Sequence, residues 1–258
     1  MRTSVILDLG PEQTEKGVTT RHLWAAGFEG RRVPALVLTP EGAQEPRPVI
    51  LLGHGAGGRK DEPQMLSIAR WLVRREGWPV VIIDGPVHGE RRPDGVENVG
   101  QQAFQALAKS ETFEAMAVDL QRTLDACAEL PEIGDRCPAY LGFSMGTILG
   151  IPTVSAEPRF RCAVFAIGGI IKDGPNLLRE AAERIDRPVL MINQSEDEIF
   201  SREAAFRLYD ALSGPKRVFS YPGGHTGVPR EAMERVREFL HAQFTDEGRE
   251  GDTPKGTW

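Results

Sequence analysis

Short apolar runs alternate with amphipathic helical stretches along most of the chain, and this alternation leaves few folds open. Pro48 to Gly53 reads Pro-Val-Ile-Leu-Leu-Gly, too brief for a helix and apolar at successive positions, as in a strand buried on both faces. Residues 61–76 follow with Met65, Ile68, Ala69, Leu72 and Val73, a spacing that puts the apolar side chains on one helical face. The pattern continues with strands at Pro79 to Asp84, Ala139 to Phe143, Cys162 to Ile167, Pro188 to Ile192 and Lys216 to Tyr221. Helices are expected at Phe113 to Leu130, 145–156, 176–185, 202–212 and Arg230 to Phe244. A chain that repeats strand and helix in this way folds as α/β, with a mostly parallel central sheet and helices on both faces.

Val18 to Thr39 departs from the pattern. Two extended stretches flank Phe28-Glu29-Gly30-Arg31, which reads as an antiparallel N-terminal hairpin. Residues 1–16 are polar and carry no clear period, and Thr245 to Trp258 is a polar stretch expected to fray. No linker interrupts the core, so residues 1–244 are expected to form one domain and 245–258 a tail.

Composition narrows the partners. The 258 residues carry a net charge of −6, which gives no overall field to draw nucleic acid or an anionic membrane. The longest apolar stretch, Cys162 to Ile171, is about half a membrane span, and Val5 to Leu7 is too short for a signal peptide. Cys127, Cys137 and Cys162 have no metal-ligand spacing and read as free thiols of a reducing compartment. A cytoplasmic protein without metal or organic cofactor is expected, and its oligomeric state stays open.

In a parallel α/β sheet, ligands bind beyond the carboxyl ends of the strands. The loops there carry the chemistry. Gly142-Phe143-Ser144-Met145-Gly146 lies between an expected strand and helix, the setting in which G-x-S-x-G forms a sharp turn presenting a nucleophilic serine. The flanking glycines are needed because side chains there would collide across the turn. His225, in Pro222-Gly223-Gly224-His225-Thr226-Gly227, follows the last strand and is the candidate base. Asp197, among Glu196, Asp197 and Glu198 after the strand ending at Ile192, is the candidate acid, with Asp173 as rival. Two backbone amides are expected to form an oxyanion hole: that of Met145, after the serine, and that of Ala56 in His54-Gly55-Ala56-Gly57-Gly58. His54 is read as structural. The loop lacks the Gly-Lys-Ser/Thr ending of a phosphate cradle.

The order Ser144, Asp197, His225, together with the His-Gly-x-Gly-Gly loop and the elbow pentapeptide, resembles the α/β-hydrolase superfamily from about residue 18 to 244. Asp84-Gly85-Pro86-Val87-His88-Gly89 is similar to a stretch of dienelactone-hydrolase-like and small esterase members, in which His88 and Gly89 would shape a loop. Dienelactone hydrolases proper use cysteine where this chain has Ser144, a departure that favours ordinary carboxylic esters. The resemblance implies an α/β-hydrolase fold with minimal or no cap. Gly168 to Arg187 is too short for a helical lid. Residues 90–110, with Val96, Val99, Phe104 and Leu107, either border the pocket mouth or simply pack on the domain. Arg91 and Arg92 read as a solvated pair, with an acidic substrate as their other possible partner. The implied activity is serine-dependent cleavage of a small-molecule ester through an acyl-enzyme. A peptidase, thioesterase or amide hydrolase on the same triad, and a non-catalytic binding protein on this fold, are the alternatives.

Overall fold

The computed structural model describes residues 5–95, 99–107, 109–134, 138–172 and 176–245. In chain order its elements are β1 (Ile6–Leu9), β2 (Gln13–Glu15), β3 (Val18–Ala26), β4 (Arg32–Pro40), β5 (Ile50–Gly53), α1 (Pro63–Glu76), β6 (Val80–Ile83), α2 (Val99–Leu107), α3 (Ser110–Ala128), β7 (Ala139–Phe143), α4 (Met145–Ala156), β8 (Cys162–Ala166), α5 (Asn176–Glu183), β9 (Val189–Gln194), α6 (Arg202–Ala211), β10 (Lys216–Tyr221) and α7 (Arg230–Thr245). The tail expected beyond Thr245 lies outside the described residues, as do Cys137 and Asp173.

One sheet runs through these elements in the order β1-β3-β4-β6-β5-β7-β8-β9-β10, with β2 also paired to β3. The strands from β6 through β10 are parallel, and β3 and β4 form the antiparallel hairpin expected from the sequence. A short helical turn at Phe28–Gly30 joins them. Two strands, β1 and β2, form where the sequence showed no pattern. They are short, mostly exposed segments paired to β3; in β1 Ile6 also packs against the core, and at four and three residues neither strand is long enough to show a period.

The side chains of the parallel strands divide strictly by pleat. Leu51, Val81, Tyr140, Phe165 and Met191 point to one face, where α3, α4, α5 and α6 pack. Ile50, Leu52, Ile82, Leu141, Val164 and Leu190 point to the other, covered by α1 and α7. From β5 to β9 both faces are buried, which explains why these strands read as apolar runs, whereas the edge strand β10 is largely exposed and reads as a mixed one. Helix α4 is buried on all sides from Met145 to Val154, as befits an element starting at the centre of the sheet.

The turn from β7 into α4 brings three backbones together. A Cβ on Gly146 would collide with the carbonyl of Gly53 at the end of β5, and one on Gly142 would lie 2.7 Å from the carbonyl carbon of Gly146. Here the glycines serve close approach rather than an unusual φ. Gly146→Ala should therefore force α4 away from β5 and cost about 2 kcal/mol. Urea denaturation checks this. An unchanged midpoint would mean that the contact yields freely.

Candidate active site

The end of β7 places Ser144 at φ 52° and ψ −113°, a conformation that L-residues rarely adopt. Its amide donates to the Ala166 carbonyl on β8 at 2.9 Å. The Thr147 hydroxyl, one turn into α4, lies 2.9 Å from the carbonyl oxygens of both Gly142 and Ala166. The strained turn is thus tied to the neighbouring strand by fixed bonds. Two further non-glycine residues with positive φ, Ile167 at 45° and Val87 at 60°, also follow strand ends.

The sequence-derived triad residues meet although they are far apart in the chain. Ser144 Oγ lies 2.8 Å from His225 Nε2. His225 Nδ1 faces both oxygens of Asp197, at 3.0 and 2.9 Å. A carboxylate there accepts the Nδ1 proton, which leaves the Nε2 lone pair for the serine hydroxyl. Serine and histidine are each 9% exposed. Asp197 is fixed by its own loop, since Oδ1 also accepts the amides of Ile199 and Phe200 at 2.9 and 2.8 Å.

The histidine loop is clamped from two sides. The buried Gln194, at the end of β9, donates through Nε2 to the carbonyls of Gly224 and Thr226 at 2.5 and 3.2 Å. Glu198 Oε2 accepts the His225 amide at 2.8 Å, and that bond holds the Glu198 carboxyl below its ordinary range. Sequence reasoning missed both roles. Glu198 stood only among the three carboxylates after β9, and its place one residue after the candidate acid was the sole hint.

The loop expected to carry an oxyanion donor lies against the serine, Gly55 being close to the Ser144 Cβ position. Among the described residues, no hydrogen bond occupies the amides of Ala56 or Met145. The neighbouring amides are in use. Gly58 donates to the Gly55 carbonyl, and Gly57 donates to His88 Nε2 at 3.0 Å. His54 accepts the Gly85 amide on Nε2 at 2.8 Å and donates from Nδ1 to the Gly55 carbonyl at 2.8 Å. His88 likewise donates from Nδ1, to the Pro86 carbonyl at 2.6 Å. The two rings meet edge to face at 5.1 Å and tie the 54–58 loop to the 84–89 loop. Burial is the main reason that both are held neutral, with His54 lowered to about 4 and His88 also lowered.

A buried charge network supports the same loops. Asp84 is inaccessible. Its oxygens accept the Lys60 amide at 2.9 Å, the Lys60 ammonium at 2.8 Å and the Glu90 amide at 3.0 Å. The ammonium also meets Glu90 at 2.7 Å, and Glu90 accepts from the Trp24 indole at 3.0 Å. Burial opposes the Lys60 charge, but the bonds to Asp84 and Glu90 outweigh it and raise its pKa. Arg91 is neither solvated nor free for a substrate. It pairs with the buried Asp119 at 2.6 Å and donates to the Asp84 carbonyl at 3.1 Å.

A cavity of about 360 Å³ opens over Ser144 and His225, lined also by the 55–58 loop, Glu62, Met65, Phe143, Ile167 and Val228 among others. Burial raises the Glu62 carboxyl above its usual range. No described residue of 90–110 lines this cavity. Val96 and the side chains of Val99, Phe104 and Leu107 lie outside the described residues. Among the described residues there is no cluster of side chains fit to hold a metal ion, and no helix is long and apolar enough to cross a membrane.

The lowered His54 has a consequence for stability. The unfolded chain protonates this ring near the ordinary histidine value of 6.5, whereas the folded protein resists down to about 4. The contribution is complete above pH 6.5 and is lost as pH falls towards 4, amounting to roughly 3 kcal/mol. Urea titrations across this range should show a declining midpoint in the native protein. His54→Gln should be less stable at neutral pH and decline less. Parallel declines would refute the neutral-ring assignment.

Comparison with known proteins agrees with the geometry. A model of the dienelactone hydrolase family matches residues 33–234. Among solved structures, the chain is similar to a cold-adapted esterase from an Arctic intertidal metagenomic library, at 28% identity and a TM-score of 0.78, over 91% of this chain and 98% of that one. It is also similar to acetyl xylan esterases from a Paenibacillus species (21%, TM-score 0.74, 92% and 87% covered) and a Thermoanaerobacterium species (17%, 0.75, 94% and 89%). At those lower identities the likeness speaks for the fold alone. No curated protein matches the chain. With the family match extending over well more than half of its length, on an α/β-hydrolase fold, the chain belongs to the dienelactone hydrolase family.

Proposed function

We propose that the protein is a serine hydrolase of small carboxylic esters, working through a Ser-His-Asp triad and an acyl-enzyme. The observation that carries the reading is the continuous pair of contacts from Ser144 Oγ to His225 Nε2 and from Nδ1 to Asp197. The family match and the likeness to a 28%-identical esterase support ester cleavage. The unbroken sheet likewise supports treating residues 1–244 as one domain.

In the first step Nε2 takes the hydroxyl proton as Oγ bonds to the ester carbonyl carbon. Asp197 holds the imidazole in the required tautomer and stabilises the imidazolium. The carbonyl electron pair moves onto oxygen, where the unoccupied amides of Ala56 and Met145 receive it. Collapse of the intermediate expels the alkoxide with the proton from Nε2, leaving acyl-Ser144. Water, deprotonated by His225, then repeats the sequence and releases the acid. The triad and backbone amides carry every proton and charge in this scheme, so it calls on no cofactor.

Ser144→Ala should lower kcat/KM on p-nitrophenyl acetate by about 10⁴-fold or more, with thermal unfolding little changed. Asp197→Asn, which reverses the histidine tautomer, should cost about 10³-fold or more. Substantial turnover by the serine variant would overturn the proposal. Full activity of the Asp197 variant would shift the acid role elsewhere.

A further inference from the structure

A second depression lies beside the site. Its volume is about 820 Å³ and it is lined by Lys16, Arg70, Arg74, Arg75 and Arg230, with Glu15 as the one carboxylate. Its floor is the outer stripe of α1, made by Pro63, Leu66, Ser67, Arg70, Trp71 and Arg74. Trp71 is half-buried, packs against the core and borders this groove. Elsewhere most arginines are neutralised by a neighbour, as Arg21, Arg59, Arg91, Arg159, Arg179 and Arg237 are. Among the described residues, Arg70, Arg74, Arg75 and Arg230 form no close ion pair, although Arg74 donates from Nε to the Lys16 carbonyl at 3.0 Å and Arg75 and Arg230 lie in the field of Glu234. Four guanidinium groups, none locked in a close carboxylate pair, are thus gathered in one groove of a chain whose net charge is −6, and together with Lys16 they outnumber Glu15 and the nearby Glu234.

The groove and the catalytic cavity share the first turn of α1. Glu62, Gln64 and Met65 border the cavity, and Pro63, Leu66 and Ser67 border the groove. On the opposite wall Val228 borders the first and Arg230 the second. From Pro63 to Arg74 the helix runs ~16 Å, the reach of a few linked sugar rings rather than of a single small alcohol.

We infer that this groove is an anionic-substrate subsite, holding the carboxylate-bearing part of a short acidic oligosaccharide whose ester reaches Ser144. The inference rests on the ester-hydrolase reading and adds the substrate class to it. Guanidinium groups bind carboxylates through paired hydrogen bonds, and the Trp71 face offers a surface for a sugar ring. Glu62, at the edge of the catalytic cavity, repels an anion placed next to the ester, so the charge belongs further along the chain. The overall negative charge opposes a long polyanion such as nucleic acid, which would have to cross acidic surface beyond the groove.

The test compares an acetylated oligogalacturonate with an acetylated neutral xylo-oligosaccharide of equal length, beside p-nitrophenyl acetate. The native protein should prefer the anionic oligomer through a lower KM, and the preference should fade as salt is raised. The double variant Arg70→Gln, Arg74→Gln should lose about tenfold of that preference, and Arg230→Gln should act in the same direction. Calorimetry with de-esterified oligogalacturonate gives a readout independent of turnover. Binding that weakens in the variants supports the subsite even if no ester is cleaved, in which case the hydrolase reading alone fails. Cleavage of p-nitrophenyl acetate with no binding of the anionic oligomer, or with equal binding by the variants, overturns the subsite alone. Retention on phosphatidylserine vesicles without oligogalacturonate binding would also overturn it, in favour of a lipid surface.

Discussion

The close approach of α4 to the end of β5 is the constraint on which the site depends. With no side chain at Gly53, Gly142 or Gly146, backbone meets backbone, and the chain reverses from β7 into α4 within a single residue. That residue is Ser144, left at a positive φ with its hydroxyl above the sheet edge. The strain costs on the order of 1–3 kcal/mol and persists because the bonds from Ser144 and Thr147 to β8 over-determine it. Burial of both sheet faces then fixes where every other strand ends, and so where Asp197 and His225 emerge.

A second layer of polar contacts does for the loops what packing does for the strands. The loops bearing Ala56 and His88 have few apolar side chains. Their rigidity comes from two neutral histidines and the buried Asp84–Lys60 pair. A buried ion pair is weak evidence for stability, because desolvation consumes much of its Coulombic gain. Its value here is geometric: Asp84 receives two backbone amides as well as the ammonium, and so sets the spacing between the two loops. On the other side of the serine, Gln194 and Glu198 hold the histidine loop by its backbone.

Much of this was legible in the sequence for physical reasons that can be named. Strands buried on both faces announce themselves as apolar runs, and helices α1 and α3 by their 3.6-residue period, so the sheet and the elbow at Ser144 could be located. His225 stood out because it follows the last strand between glycines. Other features lacked a local signal. Strand β2 has polar, exposed side chains and exists by pairing alone, and β1, four residues long and mostly exposed, is too short to show a period. The partners of Lys60 and Arg91 are 24 and 28 residues away, and nothing near either residue announces them. Asp197 was named from its place after β9, but the separate task of Glu198 needed the loop geometry, in which the middle carboxylate turns inward to His225 and the third grips the backbone.

Covalent labelling tests the central claim, an activated Ser144, most directly. A fluorophosphonate should add one phosphonyl group to the native protein. Peptide mass spectrometry should place it on Ser144, and His225→Ala should slow the labelling by orders of magnitude. Absence of labelling, a label on another residue, or equal labelling of the His225 variant would contradict the account.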